Sequence, residues 1–233
     1  IRELAYPPAA YSVDSLTVNV VFDASLSNTK VEVTHVFTGY TARSFQPLFD
    51  LITDEDDLNE FAEQSITYID NEATVDEVSY ENNSAELLGV KPFKATGTLS
   101  NCNVLETAGA DYLFTIGNLI GPQTELYNED SIRRFDVENY YSKIYERTLN
   151  FTVPEGYTVA NINDINISKV LNLNGKELAK FESSYVKNGN TYTVQIVEYY
   201  EEMIYPKEIF NAYREVINAA ADFNKVTLLL QKV

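Results

Sequence analysis

The tightest constraint on this chain is a period-two pattern that folds back on itself around Asn188-Gly189. Before the dipeptide, Phe181, Ser183 and Tyr185 share one phase while Glu182 takes the other; after it, Tyr192, Val194 and Ile196 alternate with Thr193 and Gln195. Such alternation marks strands with one buried face, and Asn-Gly suits a two-residue type I′ hairpin turn. A turn centred on those residues sets Tyr185 opposite Tyr192, Ser183 opposite Val194 and Phe181 opposite Ile196. Asn174-Gly175 repeats the signal and sets Leu171 opposite Leu178.

The same reading extends along the chain. Pro7-Pro8-Ala9-Ala10 makes residues 1–12 a lead-in linker. Leu16, Val18, Val20 and Phe22 form one alternating strand and Val31, Val33, His35 and Phe37 a second, joined by a turn over Ser25 to Asn28 and ended by Gly39. Further strands are expected over 75–80, 93–99, 112–116 and 144–153. Thr53 is placed as an N-cap with Asp56 as its capping-box partner, ahead of Leu58, Phe61, Ala62, Ser65 and Ile66 at helical spacing. Near the end, Pro206 opens a helix to Ala221 with Ile209, Phe210, Tyr213, Val216, Ile217 and Ala220 on its apolar side, and a strand over Val226 to Leu230 follows. Many strands with few helices give a mainly-β fold, a β-sandwich with two or three packed helices. The expected organisation is a linker at 1–12, an N-terminal β lobe at 13–86 with a helix near 54–68, and a C-terminal β-sandwich at 87–233 with a helix at 206–221. Ala85 to Gly89 is the seam.

The 233 residues carry 35 acidic and 17 basic side chains, a net charge of −18. That balance opposes binding to nucleic acid, which needs Lys and Arg on phosphates, and to anionic lipid surfaces. No run approaches the roughly 18 apolar residues of a spanning helix. Ile1-Arg2-Glu3-Leu4 lacks the basic start and apolar core of a signal peptide, and with no initiating Met the chain reads as a processed product or a piece of something longer.

The chemistry-bearing residues are few. Cys102 is the single cysteine and His35 the single histidine, so an intrachain disulfide and a Cys/His zinc site are both excluded by number. A Cys102–His35 nucleophile pair is conceivable, but His35 falls on the apolar phase of its strand and reads as a structural residue. Asp54 to Asp57 and Asn161 to Asp164 offer oxygens without the spacing of a calcium loop; capping and a polar loop explain them better. Tyr140-Tyr141 and Tyr199-Tyr200 could stack on sugar rings, though neighbours on a strand point to opposite faces and core or edge packing is the plainer role. Asn82, Asn150 and Asn166 begin Asn-x-Ser/Thr triplets. Phosphate-loop and nucleophile-elbow motifs are absent from the sequence. No catalytic, cofactor-binding or metal-ligating residue is therefore assigned, and no cofactor is expected.

Arg147, Val153-Pro154-Glu155-Gly156-Tyr157, Tyr205-Pro206, Tyr213 to Asn218 and Asp222 through Leu230 form one ordered set. Pro92-Phe93, Leu119-Ile120-Gly121-Pro122-Gln123, and Gly39 with Ala42 precede it. In these residues the chain resembles the uncharacterised C-terminal β-domain that follows a transglutaminase-like core in bacterial envelope proteins. The resemblance implies a modular parent: an N-terminal β-domain, a Cys-His-Asp core, then the region seen here. The Cys-Trp motif and downstream His of that core are missing, and Cys102 does not match its nucleophile. The implied role is a non-catalytic accessory module that positions the core or binds a partner or envelope polymer. Its implied setting is exported, periplasmic or at the cell surface. A carbohydrate- or peptide-binding module, a pure spacer and a hydrolase in its own right are the competing readings.

Overall fold

The computed structural model describes residues 8–23, 26, 28–70, 72–128 and 132–233. The expected turn over Ser25 to Asn28 and the first seven residues of the expected linker lie partly or wholly outside them. Within that linker, Ala9–Tyr11 form a 3-10 turn and Ala9 is buried.

The chain is mainly β. Its main sheet has eight strands, built from β1 (Val13–Phe22), β2 (Thr29–Phe37), β3 (Thr74–Glu81), β4 (Phe93–Ser100), β8 (Lys143–Thr152), β10 (Ile167–Leu173), β11 (Lys176–Asn188) and β12 (Thr191–Tyr200). Their spatial order is β10-β11-β12-β8-β1-β2-β4-β3. Strands from both sides of the boundary expected at 86/87 sit in this one sheet. All its pairs are antiparallel except β1 with β8 at the centre. A second sheet of four strands is ordered β5 (Leu105–Ala108), β6 (Asp111–Phe114), β14 (Leu228–Lys232), β9 (Tyr157–Val159). A short pair joins β7 (Val137–Glu138) to β13 (Ile204–Tyr205). The helices are α1 (Gln46–Phe49), α2 (Glu55–Thr67) and α3 (Phe210–Asn224).

The sheets face each other in sandwich fashion through aromatic contacts. Phe114 of β6 lies edge-on to Phe22 of β1 and Phe151 of β8, with centroids 5.2 Å away in both cases. Helix α2 covers the β2-β4-β3 side of the same face and α3 the β10-β11 side. Register makes this inner face legible as rows crossing the sheet. One row is Lys187, Tyr192, Phe151, Val20, Val31 and Leu99; the next is Tyr185, Val194, Leu149, Val18, Val33 and Gly97. Both are largely apolar, and they lie under the second sheet. The two following rows change character: Ser183, Ile196, Arg147, Leu16, His35 and Ala95, then Phe181, Glu198, Tyr145, Asp14, Phe37 and Phe93. One end of a buried face thus carries five ionisable side chains, Asp14, His35, Tyr145, Arg147 and Glu198.

Several expectations shift in detail. The β11–β12 hairpin turns on Gly189-Asn190, since Asn188 pairs with Thr191, so Tyr185 faces Val194, Ser183 faces Ile196 and Phe181 faces Glu198. Gly189 has φ +61°, as the first central residue of a type II′ turn demands, and Asn190 needs no left-handed backbone. The move slides each partner by two residues, so every side chain keeps its face. Asn174-Gly175 does close β10–β11, but a bulge between Leu171 and Asn172 puts Leu171 opposite Ala179 instead of Leu178. Asp54, not Thr53, caps α2: its carboxylate accepts from the amides of Asp56 and Asp57. The C-terminal helix starts later and ends later than 206–221. Ile209 N–H bonds to the Pro206 carbonyl in a 3-10 turn, and burial of Ala221 and Phe223 draws the last turn inward. The closing strand begins at Leu228. Gly39 opens a 3-10 segment, Gly39–Ser44, one residue after β2 has ended.

Phe210 and Tyr213 of α3 are buried, and Tyr213 meets Tyr200 of β12 and Tyr205 of β13 at centroid distances of 5.4 and 4.6 Å. Truncating Phe210 leaves a cavity that this packed interface cannot close. Phe210→Ala is expected to lower stability by about 3–5 kcal/mol in urea denaturation; a loss under about 1 kcal/mol would mean the ring is not in the core.

Candidate functional site

The charged end of the sheet is organised around Asp14. Its Oδ1 accepts from His35 Nε2 at 2.7 Å and from Arg147 Nη1 at 2.8 Å. The same Nη1 donates to the Asp14 carbonyl at 2.6 Å and to the Glu146 carbonyl at 3.0 Å. His35 Nδ1 reaches the Ser65 carbonyl in the last turns of α2 at 2.7 Å. Both ring nitrogens are thus committed, one to a main-chain carbonyl and one to a carboxylate. Burial alone would raise the Asp14 carboxyl, but the Arg147 charge and the His35 hydrogen bond outweigh it and bring it to about 2.

Beside this network the sheet, α3 and the loop after Ile120 enclose a cleft of about 380 Å³. Tyr145, Arg147 and Glu198 form its floor, Pro122 and Ile217 line its walls, and Lys143 opens onto it. Burial raises the Glu198 carboxyl above its usual range, although Tyr200 Oη donates to it at 2.6 Å and Arg147 and Lys143 pull the other way. Tyr68 also lines the cleft; its phenol is pushed to about 12 by burial, and its Oη is buried without a hydrogen-bond partner. Gly121 fixes the loop over Tyr68. It has φ +76°, and a Cβ there would lie 2.1 Å from the Tyr68 ring, so only glycine lets the backbone pass. Asn224, at the end of α3, holds the same loop by donating to the Gly117 and Gly121 carbonyls at 2.8 and 3.0 Å.

An aromatic–cation ladder leads into the cleft along alternate residues of one segment. Arg43 lies over Tyr141 at 5.8 Å, Lys143 lies between Tyr141 at 5.9 Å and Tyr145 at 5.4 Å, and Arg147 lies over Tyr145 at 5.3 Å. Tyr140, in the other phase, is 89% exposed.

The residues singled out in the sequence fall mostly elsewhere. Cys102 Sγ has the Ser100 carbonyl at 4.0 Å as its partner; burial, then Asp70 and Asp76, push its thiol to about 11. His35 spends both nitrogens on Asp14 and Ser65. Asp54 caps α2. Asn161 Nδ2 donates to Asp164 Oδ2 and to the Thr227 carbonyl, and its Oδ1 accepts from Leu229 N–H, which pins this loop to β14. Asn150 joins Asn19 and Thr193 on the outer face of the sheet. Tyr200 is buried beside the cleft, and Tyr199 bonds to Glu177. Among the described residues no three His, Cys, Asp or Glu side chains gather as a metal site, and no helix is long and apolar enough to cross a membrane.

Asp14 and Glu198 were not singled out in the sequence, and Arg147 entered only through the family pattern. A usable signal existed. Asp14 is in phase with Leu16 and Val18, Arg147 with Leu149 and Phe151, and Glu198 with Val194 and Ile196. A charge in the buried phase of three strands is a costly placement that calls for partners. What alternation could not supply is strand order, which makes those three residues neighbours.

Residues 112–230, about half of the chain, match the family described as a domain of unknown function with a solved structure, DUF3858. No curated protein matches the chain. Arg147, Glu198 and Ile217 fall within the matched span; Asp14, His35 and Tyr68 precede it.

Two pH dependences follow from these carboxyls. The depressed Asp14 stabilises the fold above its ordinary value near 4, and that contribution is lost as pH falls towards about 2. Asp14→Asn strands the Arg147 charge and is expected to cost about 3–5 kcal/mol near neutrality, with the gap from the parent chain closing in urea melts at acidic pH. The raised Glu198 acts in the opposite sense, because its unfolded form ionises first as pH rises. Glu198→Gln should match the parent chain below pH ~4 and exceed it in melting temperature at neutral pH.

Proposed function

The chain belongs to the DUF3858 family of unknown function, and on that footing we propose that it is a non-catalytic accessory β-sandwich module of an exported, transglutaminase-like protein. It binds a partner or an envelope component through the Arg147 cleft and so positions the parent's core. The observation that carries this reading is the makeup of the cleft. It has volume, charge and unspent hydrogen-bonding groups but no activated nucleophile, and the single thiol, Cys102, is held protonated at neutral pH. The setting is periplasmic or at the cell surface, as the resemblance to envelope proteins implies. Nucleic acid is an unsuitable partner for a chain of net charge −18.

A hydrolase is the second reading, favoured by one observation: Asp14 and Glu198 share the cleft, one held ionised and the other pushed towards neutrality. Against it, Asp14 is bound by His35 and Arg147 and is too weak a base to activate water.

Melting temperature separates the readings. The chain is heated alone and with calcium, cell-wall fragments, soluble glycans, peptides, or the separately produced core. A binding partner at 100 times its Kd adds about 2.7 kcal/mol, a rise of roughly 5–10 °C. One such rise, without turnover of the glycans or peptides, is the expected result. Turnover that Glu198→Gln abolishes would establish the hydrolase instead, and no rise with any addition, the core included, would overturn the accessory reading.

A further inference from the structure

We propose that the cleft is a carboxylate-recognition site in which the free edge of the Arg147 guanidinium takes a ligand carboxylate and the Tyr141–Lys143–Tyr145 ladder takes the body attached to it. This rests on the binding-module reading and narrows it to a ligand class.

The first argument is a count of hydrogen-bonding groups. All protein hydrogen bonds of the Arg147 guanidinium come from Nη1, whose two hydrogens serve three acceptors. Nε and Nη2 have no protein acceptor among the described residues, although the side chain is only 8% exposed. Those two nitrogens form one edge of the fork, the edge that pairs with a carboxylate through two parallel bonds. Lys143 Nζ lies over two rings and makes no hydrogen bond there, and Tyr68 Oη is an orphan. On the acceptor side one oxygen of each carboxyl, Asp14 Oδ2 and Glu198 Oε2, is left, against seven hydrogens on Arg147 Nε and Nη2, Lys143 Nζ and Tyr68 Oη. Asp14 Oδ1 already serves His35 and Arg147, and Glu198 Oε1 takes the Tyr200 hydroxyl. Donors outnumber acceptors, so the missing component is one that accepts.

The second argument is charge. In a chain of net charge −18, this cleft brings Lys143 and Arg147 together, while the Asp14 carboxylate is shared between Arg147 and His35. Burial raises the Glu198 carboxyl and so weakens the pull of the floor on a cation. An anion finds a guanidinium with its edge open, in surroundings where water competes weakly.

The third argument is shape. A volume near 380 Å³ suits a ligand of one or two residues or sugar rings, the lower end of ordinary binding pockets. Beyond Arg147 the cleft is lined by Tyr145, Pro122 and Ile217, and Tyr141 stands at the outer end of the ladder across Lys143. A flat or apolar body can lie there with its acid group inward. Two sources share this chemistry, an acidic sugar and a peptide C-terminus.

The test uses the intact chain and matched pairs of probes in titration calorimetry: D-glucuronate against D-glucose, and N-acetyl-alanyl-alanine against its C-terminal amide. The expected result is a Kd of about 1 mM or tighter for one acid, with its neutral counterpart at least about tenfold weaker; the pair that responds names the source. Tyr68→Phe and Lys143→Met change single groups and leave the Asp14–Arg147 network in place, so folding is preserved, and each is expected to weaken the acid by about three- to tenfold. Equal binding of acid and neutral probe overturns the carboxylate proposal and leaves the binding module standing. Binding of neither probe in both pairs also overturns it, while the core titration still judges the accessory reading. An acid affinity unchanged in both variants places the site elsewhere and overturns the proposal as well.

Discussion

The ion pair between Asp14 and Arg147 is the interaction on which the rest of this structure turns. It lies across β1 and β8, the one parallel pair in the main sheet, and these strands are more than a hundred residues apart in sequence. Nothing local brings them together. A buried guanidinium without its carboxylate would cost several kcal/mol, so the pair rewards this alignment of the two strands and penalises others. Asp14 also accepts from His35, and His35 Nδ1 donates to the Ser65 carbonyl, so one carboxylate fixes the central strands, their neighbour β2 and the end of α2. Ser65 sits within a helix, where its carbonyl near the C-terminal turn is available to an outside donor.

The inner face of the sheet divides into two regimes. Where Phe114 packs on Phe22 and Phe151, aromatic and branched side chains fill the space between the sheets and exclude water. Towards Asp14 the second sheet no longer covers the face. Helix α3, α2 and the loop held by Gly121 surround it instead, and their side chains do not meet over Arg147 and Glu198. The cleft is the gap between covering elements that belong to different parts of the chain. Its polar lining is tolerable because most of its charges are compensated within the network.

The span shared with the DUF3858 family supplies Arg147, Glu198, α3 and the loop through Gly121. Asp14, His35 and Tyr68 come from the preceding segment, and the sheet is continuous through both. The matched span alone would hold an Arg147 without its counter-ion. That coupling is a physical reason to treat residues 13–233 as one working unit in any functional experiment.

Much of the local structure was legible in the sequence. The sequence located β1, β2, β3, β4 and β8 to within a residue or two, and found β11 and β12 without their ends, because one buried face imposes period two whatever covers it. Asn174-Gly175 and the Asn188 region announced hairpins, and the apolar stripe through Phe210 and Tyr213 announced α3. The sequence also showed, without its meaning being evident, that Asp14, His35, Arg147 and Glu198 stand in buried phases. Only the tertiary structure decided what those positions do. Strand order and the parallel β1–β8 pairing are set by packing between distant segments, and no local pattern encodes them. The cleft belongs to the same class of fact. A strand sequence says that a charge points inward; whether it meets a partner, an open space or both depends on which strands lie beside it and what fails to cover them.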